Sequence, residues 1–339
     1  MSPLLALLLA AQPTVIDVVA NPFPNDLSGR LGCTHFESGI TIEGVPVIGG
    51  LSAMRIDGDQ ITLIGDDALA YSGKVIRNED GFIRGLKDLS RLPLTNKKGE
   101  HLAKSRGDSE GLALYGSGAI VSLERKHRIS RFRITDKGWT EDLPLYEETS
   151  KRLKPNQGFE ALTELKDGRL LAISEGKDED GLALVVLLMR EGDRWEAVET
   201  SYRPGADFNV TDVSVDPKTG DLFVLERAFS KIRGPRARLA RVAAPDLFEG
   251  AVMEGDEMVR LSALNGVDNM EGLQMERRAD GALLAHMISD DNYNRLQQTV
   301  VMGFRIDEAR CSASAIPRNA ARARPEAVPQ GAVEADKDH

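Results

Sequence analysis

Along most of the chain apolar and polar residues alternate one by one, in short runs that stop at glycine-bearing turns. A period of two is the pattern of half-buried β-strands. The runs come in pairs: GGLSAMRID, DSEGLALYG, GFEALTELKDG, NVTDVSVDPKTG and NMEGLQMERRADG are each followed by DQITLIGDD, GAIVSLER, GRLLAISEG, GDLFVLER and GALLAHMISDD, respectively. Between the members of each pair lie Asp57-Gly58, Gly116-Ser117-Gly118, Asp167-Gly168, Thr219-Gly220 and Asp280-Gly281, sequences that favour tight hairpins. The later runs HRISRFRI, LALVVLLMR, ARLARVA and TVVMGFRI add β-branched and aromatic residues that argue against helix.

The paired unit begins near Leu51, Glu110, Glu160, Asp212 and Glu271, a period of roughly fifty to sixty residues that suits four short strands and their turns. Four-stranded antiparallel sheets repeated radially make a β-propeller. The expectation is therefore an all-β propeller of five or six four-stranded blades over residues 13–307, a sixth blade being assembled from Thr14 to Glu43 and the chain end.

In a propeller the first strand of each blade lines a central channel, where space is scarce. Gly111, Ala161 and Gly272 answer that crowding. The residues before them, Glu110, Glu160 and Glu271, together with Asp212, take equivalent places around one mouth, with Ser52 as the uncharged fifth. Converging carboxylates raise one another's pKa unless a cation neutralises them. Calcium suits an oxygen-only set completed by Asn156, Asn209, Asn269 and Asn292. Zinc does not, because no pair among the five histidines has ligand spacing. The alternative is that these carboxylates accept hydrogen bonds from backbone amides and water in a wet channel.

A second polar set follows the second strands: Asp66, Asp67, Glu124, Glu175, Glu226, Asp290 and Asp291. It reads either as a lined cleft, with Arg125, Arg227 and Asn292 binding substrate, or as exposed ion pairs of little energetic value. Basic clusters in RKHRISRFR and KIRGPRAR fit an anion-binding mouth or merely solvated loops. In SDDNYN, Asp290 and Asp291 offer a general base or metal ligands, and the same residues also favour a tight Asx-type turn.

Composition narrows the partners. Hydrophobic residues at 41% and charged residues at 28% are enough for a folded, soluble domain. A net charge of −10 and a pI near 5.2 disfavour nucleic acid; the partner expected at the mouth with its basic loops is a small anionic or ester substrate. The apolar run from Leu4 to Ala11 is too short to span a bilayer and reads as part of a signal peptide over residues 1–12, which implies a periplasmic or secreted protein. No other segment resembles a membrane anchor, and a monomer is expected. In an oxidising compartment Cys33 and Cys311 either bridge, if the fold joins its ends, or remain separate thiols. Residues 308–339, rich in Ala, Arg, Pro and Glu, read as a disordered tail. There is no G-x-S-x-G elbow, phosphate-binding P-loop or dinucleotide fingerprint, so a metal-activated water with a carboxylate base is the hydrolytic mechanism that remains.

As an ordered set GGLSAM, DSEGLAL, GFEALTEL, NMEGL and SDDNYNRLQQT resemble the phytase-like family described as having esterase-like activity, over about Gly49 to Ile306. The resemblance implies an exported metal-dependent hydrolase of phosphate or carboxylic esters, more distantly similar to calcium-dependent propellers of phytase, lactonase and phosphotriesterase type. On that view Glu110, Glu160, Asp212 and Glu271 hold calcium, with Asp290 or Asp291 orienting water. The dense aspartate clusters of a propeller phytase are thin here, which tells against phytate itself. A propeller also serves as a rigid platform, so the rival expectation is a non-catalytic binding protein of the cell envelope with a structural calcium.

Overall fold

The alternating runs are strands, and the glycines between them take the left-handed backbone that their hairpins require: φ is +58° at Gly58, +57° at Gly116, +82° at Gly168 and Gly220, and +87° at Gly281. The computed structural model describes residues 13–314, apart from 25–26, 28–29, 46–47, 150–151, 193 and 245–249. The expected signal peptide, 1–12, and residues 315–339 of the expected tail lie outside the described residues.

Each of the first four blades is an antiparallel meander. Blade 1 is Leu51–Asp57, Gln60–Gly65, Leu69–Arg77 and Ile83–Thr95. Blade 2 is Ser109–Tyr115, Gly118–Leu123, Arg128–Thr135 and Gly138–Glu147. Blade 3 is Phe159–Glu164, Leu170–Lys177, Ala183–Glu191 and Arg194–Arg203. Blade 4 is Asn209–Val215, Leu222–Ser230, Gly234–Val242 and Asp256–Ser262. The five inner strands neighbour one another in ring order, and the last packs against the first.

The described ring has five blades, one of the two counts expected, and the N-terminal region and the chain end complete the fifth blade instead of forming a sixth. Blade 5 takes Asn269–Arg277, Leu283–Asp290 and Thr299–Ile306 from the chain end and its outer strand, Thr34–Val45, from the beginning, with Val301 opposite Ile40. A further N-terminal strand, Thr14–Pro22, lies between the outer strands of blades 5 and 1, pairing Asp17 with Val45 and Val15 with Ser90. Both outer edges are thereby covered, which removes two templates for pairing with another chain.

Cys33 and Cys311 form a disulfide beside this closure, with Cα atoms 5.2 Å apart. The expected tail is corrected at its start: residues Glu308–Ser314 are a short helix that carries Cys311, and Glu308 pairs with Arg277 at 2.7 Å. The bridge joins residues separated by 278 positions, so the chain-entropy model assigns it on the order of 5 kcal/mol at most. Cys33→Ser/Cys311→Ser is expected to lower the unfolding free energy, read from the urea midpoint and slope, by an amount within that bound. An unchanged midpoint would mean that strand pairing alone holds the ends together.

The core lies between blades. Phe223, Leu225 and Leu239 of blade 4 interlock with Met270, Leu273, Met287 and Phe304 of blade 5, and Cys33 and Cys311 belong to the same cluster. Each such buried side chain contributes roughly 1.5–3 kcal/mol by leaving water.

Candidate metal centre and active site

All five inner strands carry a bulge at the same place. The pairing of inner and second strands skips between Leu51 and Ala53, Ser109 and Leu112, Phe159 and Ala161, Val210 and Asp212, and Met270 and Gly272. A bulge sets two residues against one and re-aims the side chains there. Ser52, Glu110, Glu160, Thr211 and Glu271 are therefore the equivalent residues at the channel mouth. The next position is crowded by the neighbouring blade: a Cβ on Gly111 would stand 2.7 Å from the carbonyl oxygen of Glu160, and one on Gly272 3.0 Å from the amide nitrogen of Met54.

This register corrects Asp212 as a mouth ligand. The repeat aligned by eye sets Asp212 beside the three glutamates, but Thr211 takes that place and Asp212 falls where the other blades have glycine or alanine. Its carboxylate lies inside the channel, accepting both terminal N–H groups of Arg55 at 2.8 Å and the amides of Leu273 and Val213 at 2.7 and 2.8 Å. Arg55 also donates to the carbonyls of Leu162 at 2.6 Å, Val213 at 3.2 Å and Leu273 at 3.1 Å, so this ion pair ties blades 1, 3, 4 and 5 across the axis. Burial raises the Asp212 carboxyl above its ordinary range although Arg55 opposes it.

Above this ion pair opens a cup of about 330 Å³. Glu110, Glu160 and Glu271 form its floor, and Asp66, Asp108, Glu124, Glu175 and Asp290 its walls, against which stand, among the described residues, only Lys104, Arg125 and Arg227. Asp108, Glu110 and Glu124 each present an oxygen within 4.8 Å of the others, the span that two ligands of one calcium ion cover. Arg227, from the second strand of blade 4, donates to Glu271 at 2.5 Å and to Asn269, and to Glu175 at 3.3 Å. Glu124 accepts the Gly158 amide at 2.6 Å, and one Asp290 oxygen accepts the amides of Leu51 at 3.1 Å and Asn292 at 2.9 Å.

The electrostatics follow from that crowding. Burial, with repulsion from Asp108 and Glu175, pushes Glu124 up to about 7. Burial pushes Glu271 up to about 8, despite Arg227, and Asp290 up to about 6, with Asp291 and Asp66 adding repulsion. Glu110 and Glu160 are raised well above the carboxylate range by burial first, then by their acidic neighbours. A divalent cation fits this set on two grounds. The lining offers no His or Cys among the described residues, only the oxygen and amide chemistry that hard cations prefer, and Glu271 Oε2 is buried with no hydrogen-bond partner among them.

The other expected residues divide. Asn292 stands at the lip, and Arg125 is a rim residue paired with Asp108 at 2.6 Å. Asp291 does not line the cup: its carboxylate accepts the Tyr293 amide at 2.9 Å in the turn, so of the two aspartates only Asp290 is in place as a base. Asp67 accepts the Tyr293 hydroxyl, and Glu226 is buried against Arg238 at 2.7 Å and Tyr202, away from the cup. The basic run at Arg125 to Arg133 is spent largely on lateral pairs, Arg128 with Glu141 and Arg131 with Asp142. Sequence reasoning missed Asp108 and Lys104 in the cup and Arg55 in the channel. The signal for Asp108 was present, since it directly precedes an inner strand, but no repeat marked it.

A family model described as phytase-like, esterase-like activity of phytase, matches residues 46–293. Among curated proteins, none matches the chain. Similar solved structures include an endo-arabinase from Bacteroides thetaiotaomicron, 12% identical with a TM-score of 0.48, over 75% of this chain and 93% of that one. They also include the glutaminyl cyclase of Myxococcus xanthus, 10% identical with a TM-score of 0.44, over 80% and 97%. A third is a putative 6-phosphogluconolactonase from Bacteroides uniformis, 12% identical with a TM-score of 0.40, over 87% and 83%.

Proposed function

Since the chain belongs to the phytase-like family described by esterase-like activity, we propose that it is an exported metal-dependent hydrolase of phosphate or carboxylic esters, with the cup as its active site. The observation that carries this reading is the cup itself, eight carboxylates against three cations among the described residues, with Glu271 raised to about 8. Such a set is stable as anions only around added positive charge.

Glu110, Glu160 and Glu271, with Asp108 and Glu124 beside them, would hold calcium. When bound, such a cation would supply Lewis-acid polarisation of the ester oxygen and a more acidic water. Asp290 serves as the base. One of its oxygens is pinned by two backbone amides, which fixes its orientation, and its carboxyl, raised to about 6 in the metal-free protein, is ionised at neutral pH as a base must be. Arg227 and Arg125 supply hydrogen-bond donors to an anionic substrate, and Asn292 an amide at the lip. Export is supported by the Cys33–Cys311 bridge, which persists in oxidising compartments, and by the apolar N-terminal run. No helix among the described residues is long and apolar enough to cross a membrane.

The test is hydrolysis of p-nitrophenyl phosphate, bis-p-nitrophenyl phosphate and p-nitrophenyl acetate, with calcium or chelator. Calcium-dependent turnover is expected on at least one, falling about 10²–10⁴-fold in Asp290→Asn, the range for losing a general base. Absence of turnover, with calcium only raising the melting temperature, would replace the hydrolase by a binding protein with a structural ion.

A further inference from the structure

Beside the cup lies a second cavity of about 770 Å³. We propose that it receives the organic group of the ester whose reacting end sits in the cup, and that this group is bulky, has an apolar face and carries no further phosphates. The assignment rests on the hydrolase reading above. Its first ground is continuity: Glu175, Arg227, Asn269 and Asn292 line both spaces, so the wall holding Glu271 is also the wall of the larger cavity.

The second ground is the chemistry of the walls. Phe229 from blade 4 and Leu296 from the 291–298 loop line this space while 75% and 92% exposed, together with Val267 and Pro235, and Asn209, Asn294 and Gln297 make the same wall polar elsewhere. Large apolar side chains left in water around a concave site mark a ligand surface. The loop bearing Leu296 is held in place before any ligand arrives. Asp268 accepts the Gln297 side-chain amide at 2.7 Å and the Gln298 backbone amide at 3.2 Å. A preformed wall binds without the cost of ordering.

The third ground is charge. Glu175, Asp207 and Asp268 outnumber Arg227 and Arg236 around the larger cavity, and the adjoining cup is acidic too. A polyanion would meet net repulsion, whereas an aromatic or alkyl group meets Phe229 and Leu296.

The test compares esters that differ only in the group meant for this cavity: phenyl against methyl p-nitrophenyl phosphate, and p-nitrophenyl benzoate against the acetate, with calcium. The phenyl or benzoyl member is expected to have kcat/KM about tenfold higher. In Phe229→Ser/Leu296→Ser that ratio should fall below about threefold, through KM. Both side chains are exposed, so the variant should melt close to wild type. Calorimetry with phenylphosphonate and methylphosphonate, which carry the same difference without a scissile ester, reads the cavity independently of turnover. A phenyl preference in binding without any hydrolysis would keep the cavity assignment and sink the hydrolase. Hydrolysis with no size preference, or a preference unchanged in the variant, would overturn the cavity assignment alone. Neither binding nor turnover would overturn both.

Discussion

Replacing Arg55 by methionine is expected to lower the unfolding free energy by about 3–5 kcal/mol, the cost of breaking a buried ion pair and stranding its partner. Asp212 is left without its counter-ion at a position with no solvent access, and the carbonyls of Leu162, Val213 and Leu273 lose a donor as well. Asp212→Asn should also destabilise, because Leu273 and Val213 donate to different carboxylate oxygens and the one amide oxygen of asparagine can keep only one of them. The double variant Arg55→Met/Asp212→Asn should be more stable than the sum of the two losses implies, since the charges are removed together. Urea midpoints with chelator present keep this measurement clear of the cup. A loss under about 1 kcal/mol for Arg55→Met would mean that the pair is incidental to how the blades are held.

Glu110→Gln/Glu271→Gln should weaken calcium binding about a hundredfold or more and abolish calcium-dependent turnover, because both cup-floor carboxylates are removed at once. The same variant should be more stable than wild type at pH 8 in chelator. In the metal-free protein Asp290, Glu124 and Glu271 titrate near 6, 7 and 8, above ordinary values of 3.8, 4.5 and 4.5. The folded state thus binds protons more tightly than the unfolded chain. That contribution to stability is fully present below about pH 4 and is lost as pH climbs through the 6–8 window. Melting temperature in chelator should accordingly fall from pH 5 to pH 8. Calcium should restore it most at pH 8, because binding the ion releases those protons. Chelator-treated protein whose melting temperature is flat from pH 5 to 8, or a variant that binds calcium as wild type does, would remove the cup from the metal reading.

How much of this was legible in the sequence can be judged residue by residue. The hairpins were, because a glycine that must adopt positive φ and strands that alternate by two are local demands on the chain. The repeat was legible for the same reason, and with it the propeller and the glutamates Glu110, Glu160 and Glu271. Blade 4 is where the local reading failed. Aligned by composition, Asp212 matches the glutamates; aligned by strand pairing, Thr211 does, because the bulge inserts one residue and a slip of one changes which way a side chain points. The same reasoning misplaced Glu226, whose neighbour Arg227 is the residue that enters the cup.

By itself, then, the sequence determined the strand period, the turns, the five-fold repetition and the family, all of which depend on neighbours along the chain. Only the tertiary structure decided that the strand Thr34–Val45 closes the last blade, that Cys33 meets Cys311, and that Arg55 crosses the channel to Asp212. It also decided which acids share the cup. These are contacts between residues tens to hundreds of positions apart, and their energies depend on burial and on the charges that converge only when the ring is shut.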